Sequence, residues 1–422
     1  MVKQYLIIGN SAAGIAAVEA IRSRDTAGGI TVISDEGYPA YCRCLISYYL
    51  AGDVKEDKIF YRPASFYKEN NVELILNKKV TRVDPKKNRV ICEDKSQLSY
   101  DALLIATGSH PRIPEIKGIK KKGVFGFRSL KDAKDIEGLL LCTDAVCVLG
   151  GGLVGLKAAY ALKKRKVAVK VIVKSDQILS QMLDFPAAGL VQRRLEENGI
   201  EVIAGQDIAE VIGEGEIRAV KLDSGKALEC SVVIVGRGVG PNTDLVKDTE
   251  VKVNRGIIAN SDLKTNIPNI FSAGDVSETF DLALGEFSVN ALWTAAVEQG
   301  KIAGANMSGE NINYAGSLAM NTTEFFGLPV VSLGIHKIKE GNSGYEQLVA
   351  KDEKSGFYKK VILKDNFVAG AILVGDIKNS GVLLRLIKER IDVSSFKEKL
   401  LQDNFGFPDI IDFVKDEEKI YV

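Results

Sequence analysis

Short apolar runs alternate along the first three quarters of the chain with stretches of helical pattern, the rhythm of strand–helix–strand units. A strand over Gln4–Ile8 runs into Gly9-Asn10-Ser11-Ala12-Ala13-Gly14; a helix with small residues on its first turns follows, then a second strand over Ile30–Ile33 that ends in Ser34-Asp35-Glu36. The pattern returns further on: the apolar run AVCVL meets Gly150-Gly151-Gly152-Leu153-Val154-Gly155, then a helix, then a strand over Ala168–Val173. From Tyr314 the rhythm changes: LVAKDEKSGFYKKVILKDNFVAGAILVGD alternates with period two and is broken at Lys354-Ser355-Gly356 and Asp365-Asn366, which predicts an antiparallel meander. A helix near Gly381–Glu389 follows, with Val382, Leu383, Leu386 and Ile387 on one face, a face that packs on its own sheet rather than on lipid because the opposite face is not strongly basic.

At roughly 150 residues per domain, 422 residues allow about three domains. Lys and Arg number 56 and Asp and Glu 55, so the net charge of +1 gives no reason to expect nucleic acid or an anionic membrane as partner. No apolar run reaches the ~18 residues that span a bilayer, and the apolar start MVKQYLIIG is too short for a signal peptide; a soluble, cytoplasmic protein is expected. Six cysteines in so long a chain are no disulfide framework. Cys92, Cys142, Cys147 and Cys230 fall in segments that read as strands, Cys147 as a core residue. With 2 histidines and no paired CxxC motifs, no protein-held metal is expected.

The glycine loops carry the chemistry. Gly9 permits the tight turn, the small Ser11 lets backbone approach a pyrophosphate, and Gly14 lets helix and strand pack closely, so that the helix N-terminus meets the phosphates. Asp35 and Glu36 both stand where an acid takes a ribose 2′-hydroxyl. The second loop repeats this logic with Gly150, Gly152 and Gly155 all present. Two dinucleotide folds imply two dinucleotides, the arrangement of a flavoprotein that exchanges hydride with a nicotinamide. The fold class expected is α/β: two Rossmann-like domains, for FAD and NAD(P), plus a C-terminal α+β interface domain.

The ordered motifs IIGNSAAG, YDALLIATGSHPR, VLGGGLVGLKAA and IFSAGDV resemble those of the FAD-dependent pyridine nucleotide–disulfide oxidoreductases. The likeness covers nearly the whole chain and looks nearest to the branch of NADH:rubredoxin reductases, the flavin domain of nitrite reductases and the NADH-reacting flavin subunit of phenylglyoxylate dehydrogenase. It implies a glutathione reductase-like architecture with FAD held by the Gly9, Ser11, Ala12, Ala13, Gly14 loop, by Ala106, Thr107 and Gly108, and by Gly274 and Asp275 on the ribityl chain. It further places Arg43, Ser47, Val80, Arg112 and Trp293 at FAD, the last on a helix, matched to Glu286–Gly304, whose N-terminus faces the flavin pyrimidine. On the nicotinamide side it implies Gly150, Gly152, Leu153, Val154, Gly155, Val173 and Lys174.

In that family the stretch after the ribose acid, here AYCRCLISYYLAG, lies beside the flavin ring. It fits two patterns. In the single-cysteine branch of NADH oxidases, peroxidases and coenzyme A-disulfide reductases, Cys44 would be the redox cysteine. In the electron-transfer branch, with its Y-x-R-P-x-L-S-like run, Arg43 matches the arginine and Cys44 takes the proline position. The second fit is favoured by Arg43, by the missing glycine and proline of the first pattern, and by a C-terminal tail without histidine for thiol proton transfer. C-x-C spacing also turns neighbouring side chains apart, against an internal disulfide.

Two departures mark the nicotinamide side. Lys157 stands where the family carries a glutamate, reversing a charge near the nicotinamide. The second strand ends in Val173-Lys174-Ser175 without an acid, which brings NADPH close to NADH as the expected donor. Together these readings give an FAD enzyme moving hydride between NAD(P)H and flavin, with Arg43, Lys157 and Cys44 as candidate catalytic residues. Its expected partner is an iron–sulfur protein, a rubredoxin, ferredoxin or complex subunit, within a homodimer or hetero-oligomer. The rivals are a Cys44-dependent oxidase, peroxidase or coenzyme A-disulfide reductase, and an electron-transfer subunit with a vestigial nicotinamide site. Pro111, Pro114 and Pro241 punctuate the expected boundaries: 1–113 with 242–314 for FAD, 114–241 for NAD(P), 315–422 for the interface domain.

Overall fold

The computed structural model describes residues 2–413 apart from 339–340, 342 and 353–354. Two five-stranded parallel sheets carry the glycine loops. The first has the order Ile270–Ser272, Ala102–Ile105, Gln4–Ile8, Gly29–Ile33, Val72–Ile75, so a strand from late in the chain returns to the sheet that opens it. The second has the order Ile200–Ala204, Ala168–Val173, Ala145–Leu149, Val232–Val235, Val124–Phe125. Ala102–Ile105 and Val232–Val235 are buried at every position, as central strands covered on both faces must be.

An antiparallel ribbon, Ser109–Pro111 against Val239–Pro241, joins the two sheets where the chain crosses out and back. Asn242 locks it: its side chain donates to the Thr107 carbonyl at 2.8 Å and Thr107 Oγ1 donates to the Asn242 carbonyl at 2.9 Å.

The C-terminal region forms a five-stranded antiparallel sheet, Met320–Phe325, Leu328–Gly334, Phe367–Val374, Phe357–Lys364, Tyr345–Asp352. The expected break at Asp365-Asn366 is a tight turn with both residues at positive φ (50° and 65°). At the other break, Lys354 lies outside the described residues. The helix Ser380–Glu389 buries Leu383, Leu386 and Ile387 in one core with this sheet. Among the described residues no helix is long and apolar enough to cross a membrane.

Two expectations need correction. The helix expected over Glu286–Gly304 begins at Trp293, because Glu286–Ser288 pairs as an edge strand with Ser277–Asp281. Cys142 lies in no strand: it ends a short 3₁₀ turn, Leu140–Cys142, and is exposed.

The helix Trp293–Met307 crosses the first loop helix, Ala12–Arg22, at very short range. A Cβ on Gly300 would stand 2.2 Å from the Ala13 carbonyl oxygen, and one on Gly304 2.5 Å from that of Ala17. Small residues four apart, Gly300 and Gly304 on one helix and Ala13 and Ala17 on the other, set this contact.

Candidate functional site

Each glycine loop is forced by its packing. Gly9 has φ +123°, and a Cβ there would lie 2.0 Å from the Ala106 carbonyl oxygen; a Cβ on Gly14 would lie 2.0 Å from that of Gly9. The second loop repeats the pair: Gly150 has φ +118° and 2.4 Å to the Gly236 oxygen, and Gly155 has 2.2 Å to that of Gly150. Side chains of L residues fit at none of these positions. Ser11 precedes the first helix without capping it through its side chain, and Gly152 precedes the helix Leu153–Lys164 with no side chain to offer. Both helices therefore present uncapped N–H groups and the positive end of their dipoles, as phosphate binding requires.

A cavity of about 1720 Å³ runs along the first loop. That exceeds the usual few hundred to 1,000 Å³ of a single small-ligand site and suits an extended dinucleotide. Gly9, Ser11, Ala12 and Ala13 line one stretch; Asp35, Glu36 and Val80 line the end beyond the second strand. Ala106, Thr107, Gly108, Gly274 and Asp275 line the opposite wall, with Trp293 and Thr294 where the Trp293–Met307 helix begins. Gly274 is set by a buried hydrogen bond from its N–H to Gln299 Oε1, 2.7 Å. These residues fit FAD: uncapped amides for the pyrophosphate, an acid at the ribose end and a helix N-terminus at the ring end.

The two acids separate in role. Glu36 is engaged by an ion pair with Arg43 and by the Tyr41 hydroxyl, which donates at 2.6 Å. Asp35 is exposed on the cavity wall and bonded to neither, which leaves it as the acid open to a ribose. Arg43 is thereby fixed; it also stacks on Tyr41, 5.0 Å from the ring centroid, and donates to the Arg128 carbonyl. Burial raises the Tyr41 hydroxyl above its ordinary pKa, so it stays a neutral donor.

Arg112, expected at FAD, is exposed just past the crossing ribbon and outside the cavity lining, although Pro111 and Ile113 on either side are in it. Arg43 is in the wall as expected, and beside it stands Arg128, which the sequence reading missed. Its guanidinium donates to Asp275 at 2.5 Å and to Ser109 Oγ at 2.9 Å. A signal existed: Ser129 and Asp132 form a capping box, which fixes the helix start and puts Arg128 immediately before it.

Leu153, Val154 and Lys157, on the outward face of the second loop helix, line the same cavity, as does Ser47 of the helix Ile46–Ala51. The second dinucleotide helix thus abuts the first site. Lys157 donates to the Glu324 carbonyl at 3.2 Å, and its ammonium sits 5.5, 5.8 and 5.3 Å from the rings of Tyr48, Tyr160 and Phe325. Burial holds its pKa below the usual lysine value. This lysine ties three parts of the chain together at the cavity. Gly150, Gly152, Gly155 and Val173 lie beyond the lining of that cavity, along the second loop and its neighbouring strand. Lys174 is exposed at the strand end, 3.8 Å from Asp207, whose other oxygen pairs with Arg237.

Cys42 precedes the 3₁₀ turn Arg43–Leu45 in extended backbone (φ −79°, ψ 104°), and hydrogen bonding with Cys44 and the turn amides holds its thiol below the ordinary cysteine value. Cys44 lines the cavity and is exposed there.

The first loop and the start of the second loop's helix meet at one cavity, the arrangement of an oxidoreductase built for FAD and a nicotinamide. Residues 3–300 match the pyridine nucleotide-disulphide oxidoreductase model, and residues 320–391 match the rubredoxin NAD+ reductase C-terminal domain. The chain belongs to the pyridine nucleotide-disulphide oxidoreductases. It is 33% identical over 396 residues to a nitrite reductase [NAD(P)H] of Bacillus subtilis, covering 93% of this chain and 48% of that protein, so it spans about half of that relative's length. It is 29% identical to the NADH-dependent phenylglyoxylate dehydrogenase subunit epsilon of Aromatoleum evansii, covering 94% of each chain. Among solved structures, a NAD-dependent persulfide reductase from A. fulgidus superimposes with TM-score 0.86 at 27% identity, covering 92% of this chain and 77% of that one.

Proposed function

We propose that this chain passes the electron pair of NADH or NADPH to FAD and releases it as single electrons to an iron–sulfur protein, free or as a subunit of a larger complex. The carrying observation is the shared cavity: Leu153, Val154 and Lys157 of the second loop helix form its wall together with Ser11, Ala12 and Ala13 of the first. FAD, when bound, supplies the step between two-electron and one-electron chemistry. The chain's own residues bind and orient: Asp35 the adenosine ribose, the uncapped helix ends the phosphates, Asp275 with Arg128 the ribityl region, and the start of the Trp293–Met307 helix the charge on reduced flavin. The match to a rubredoxin reductase C-terminal domain supports the protein acceptor, and Met320, Asn321, Thr322 and Thr323 of that region reach the cavity wall. The same reading assigns residues 1–113 and 242–314 to the FAD domain, 114–241 to the NAD(P) domain and 315–422 to the interface domain.

The test is an anaerobic titration of the purified protein with NADH and, separately, NADPH, following the flavin band. Bleaching by either supports the reading; bleaching by neither overturns hydride entry through the second loop. Lys174→Glu is expected to shift the ratio of kcat/KM values toward NADH by about tenfold, since ~1.4 kcal/mol of phosphate contact is lost and an acid appears for the 2′-hydroxyl. An unchanged ratio would remove Lys174 from the cofactor site. Arg43→Ala frees Glu36 and Tyr41 and is expected to weaken flavin binding about tenfold, read as flavin fluorescence released on dilution.

A second reading, favoured by Cys44 on the cavity wall, delivers the electrons to sulfur, as the name of the superimposed persulfide reductase says of that protein.

A further inference from the structure

Lys157 lines the cavity, yet the mechanism above leaves it without a task. Its ammonium is caged by rings from separate parts of the chain: Tyr48 of the helix Ile46–Ala51, Tyr160 of its own helix and Phe325 of the first strand of the C-terminal sheet. Among the described residues its hydrogen bond goes to the Glu324 carbonyl at 3.2 Å; the Glu324 side chain is exposed and forms no ion pair with it. Tyr48 directly follows Ser47, so the caged ammonium sits at the end of the cavity assigned to the flavin ring.

The other lysines and arginines of the wall are neutralised or lie elsewhere. Arg43 pairs with Glu36 and Arg128 with Asp275, while Lys78 and Lys131 pair with Asp94 and Asp135. Lys79 is exposed beside Val80, at the adenosine end. Among the described residues of the wall, Lys157 is thus the half-buried side-chain cation without a carboxylate partner. Aromatic rings rather than water surround it, and they hold the charge while screening its field little.

We propose that Lys157 sets the reduction potential of the bound flavin, holding it higher than the rest of the cavity would. The proposal rests on FAD lying in this cavity with its ring at the Trp293 end, as read above. A hydride brings two electrons and one proton to the ring, so the reduced ring carries one more negative charge than the oxidised ring. An unpaired cation in the wall favours that added charge. The ion pairs of Arg43 and Arg128 are close to neutral at a distance and contribute less. The glutamate usual at this position in the family would act in the opposite sense. A higher potential favours hydride entry from the nicotinamide and selects iron–sulfur acceptors of higher potential still.

The experiment is anaerobic potentiometry of the flavin-loaded full chain, with xanthine and xanthine oxidase as reductant and a dye of known potential as reference. No nicotinamide is added, so the outcome does not depend on the second loop. At a fixed ambient potential, Lys157→Met and Lys157→Gln are expected to hold about tenfold less reduced flavin relative to oxidised, a fall of about 30 mV for a two-electron couple. Lys157→Glu should lose about a hundredfold, while Lys157→Arg, which keeps the charge, should stay within about threefold of the wild type. Met and Gln variants at the wild-type potential overturn the proposal. So does an Arg variant that falls as far as Met, because packing rather than charge would then be the cause. Loss of flavin from both neutral variants also overturns it, since a charge that acts on the reduced ring leaves the oxidised cofactor bound. A wild-type chain that takes up no flavin fails instead at the earlier reading of the cavity.

Discussion

Replacing Gly9 by alanine empties the flavin site, whereas the same change at Gly150 leaves flavin bound and stops its reduction by NADH and NADPH. The two positions are geometric twins, each at positive φ (+123° and +118°) with a carbonyl oxygen 2.0 or 2.4 Å from where the new Cβ would stand. The neighbour in each case is backbone of a central sheet region, Ala106 or Gly236, and cannot swing aside as a side chain would. The loop must move instead, and the amides that meet the pyrophosphate move with it. The strain of such a conformation, one to three kcal/mol, adds to the overpacking, so each variant loses roughly a hundredfold or more in affinity for its own dinucleotide. The ratio of flavin to protein absorbance reads the first variant, and anaerobic titration reads the second. Loss of flavin from both variants, or from neither, would contradict the assignment of one nucleotide to each loop.

Gly300→Val should also lose flavin, although Gly300 is not in the cavity wall. Its Cβ would strike the Ala13 carbonyl from 2.2 Å, forcing the Trp293–Met307 helix off the first loop helix. Both helices start at the cavity, at Trp293 and at Ala12, so the displacement separates the two N-termini that the flavin needs together. Overpacking costs about 1–3 kcal/mol and more when the neighbour is backbone, and a lower melting temperature accompanies the lost cofactor. Gly138→Ala is the matched control. Gly138 lies in the helix Leu130–Leu139 with nothing within 4 Å of an added Cβ, so the change should stabilise by roughly 0.5–1 kcal/mol through helix propensity and leave flavin content unchanged. A Gly300→Val protein with full flavin and unaltered melting would show that this crossing does not position the site.

The loops were readable because their requirement is local. A strand, a turn that excludes side chains and a helix opening at its N-terminus are contiguous, and the sequence spells them in order at Gly9–Gly14 and Gly150–Gly155. The antiparallel C-terminal sheet was legible for a similar reason, since alternation and the Asp365-Asn366 turn act within a few residues. Residues whose role depends on distant partners were not. Arg128 and Arg112 look alike in the sequence, yet Arg112 stays exposed outside the wall, while the capping box at Ser129 brings Arg128 to Asp275. Glu36 and Asp35 are adjacent acids, and the ion pair with Arg43 is what distinguishes them.

By itself, then, the sequence determined that this chain holds two nucleotide-binding loops and an antiparallel C-terminal unit, since turn sterics and hydrophobic period are properties of neighbouring residues. Only the tertiary structure decided that both loop helices meet at one cavity, that Lys157 is held among Tyr48, Tyr160 and Phe325, and that Cys44 opens on that cavity. The physical reason is the same each time. Burial, charge pairing and side-chain direction are set by elements far apart in the chain, or by the exact backbone angles of a short turn, and neither is encoded in residue spacing.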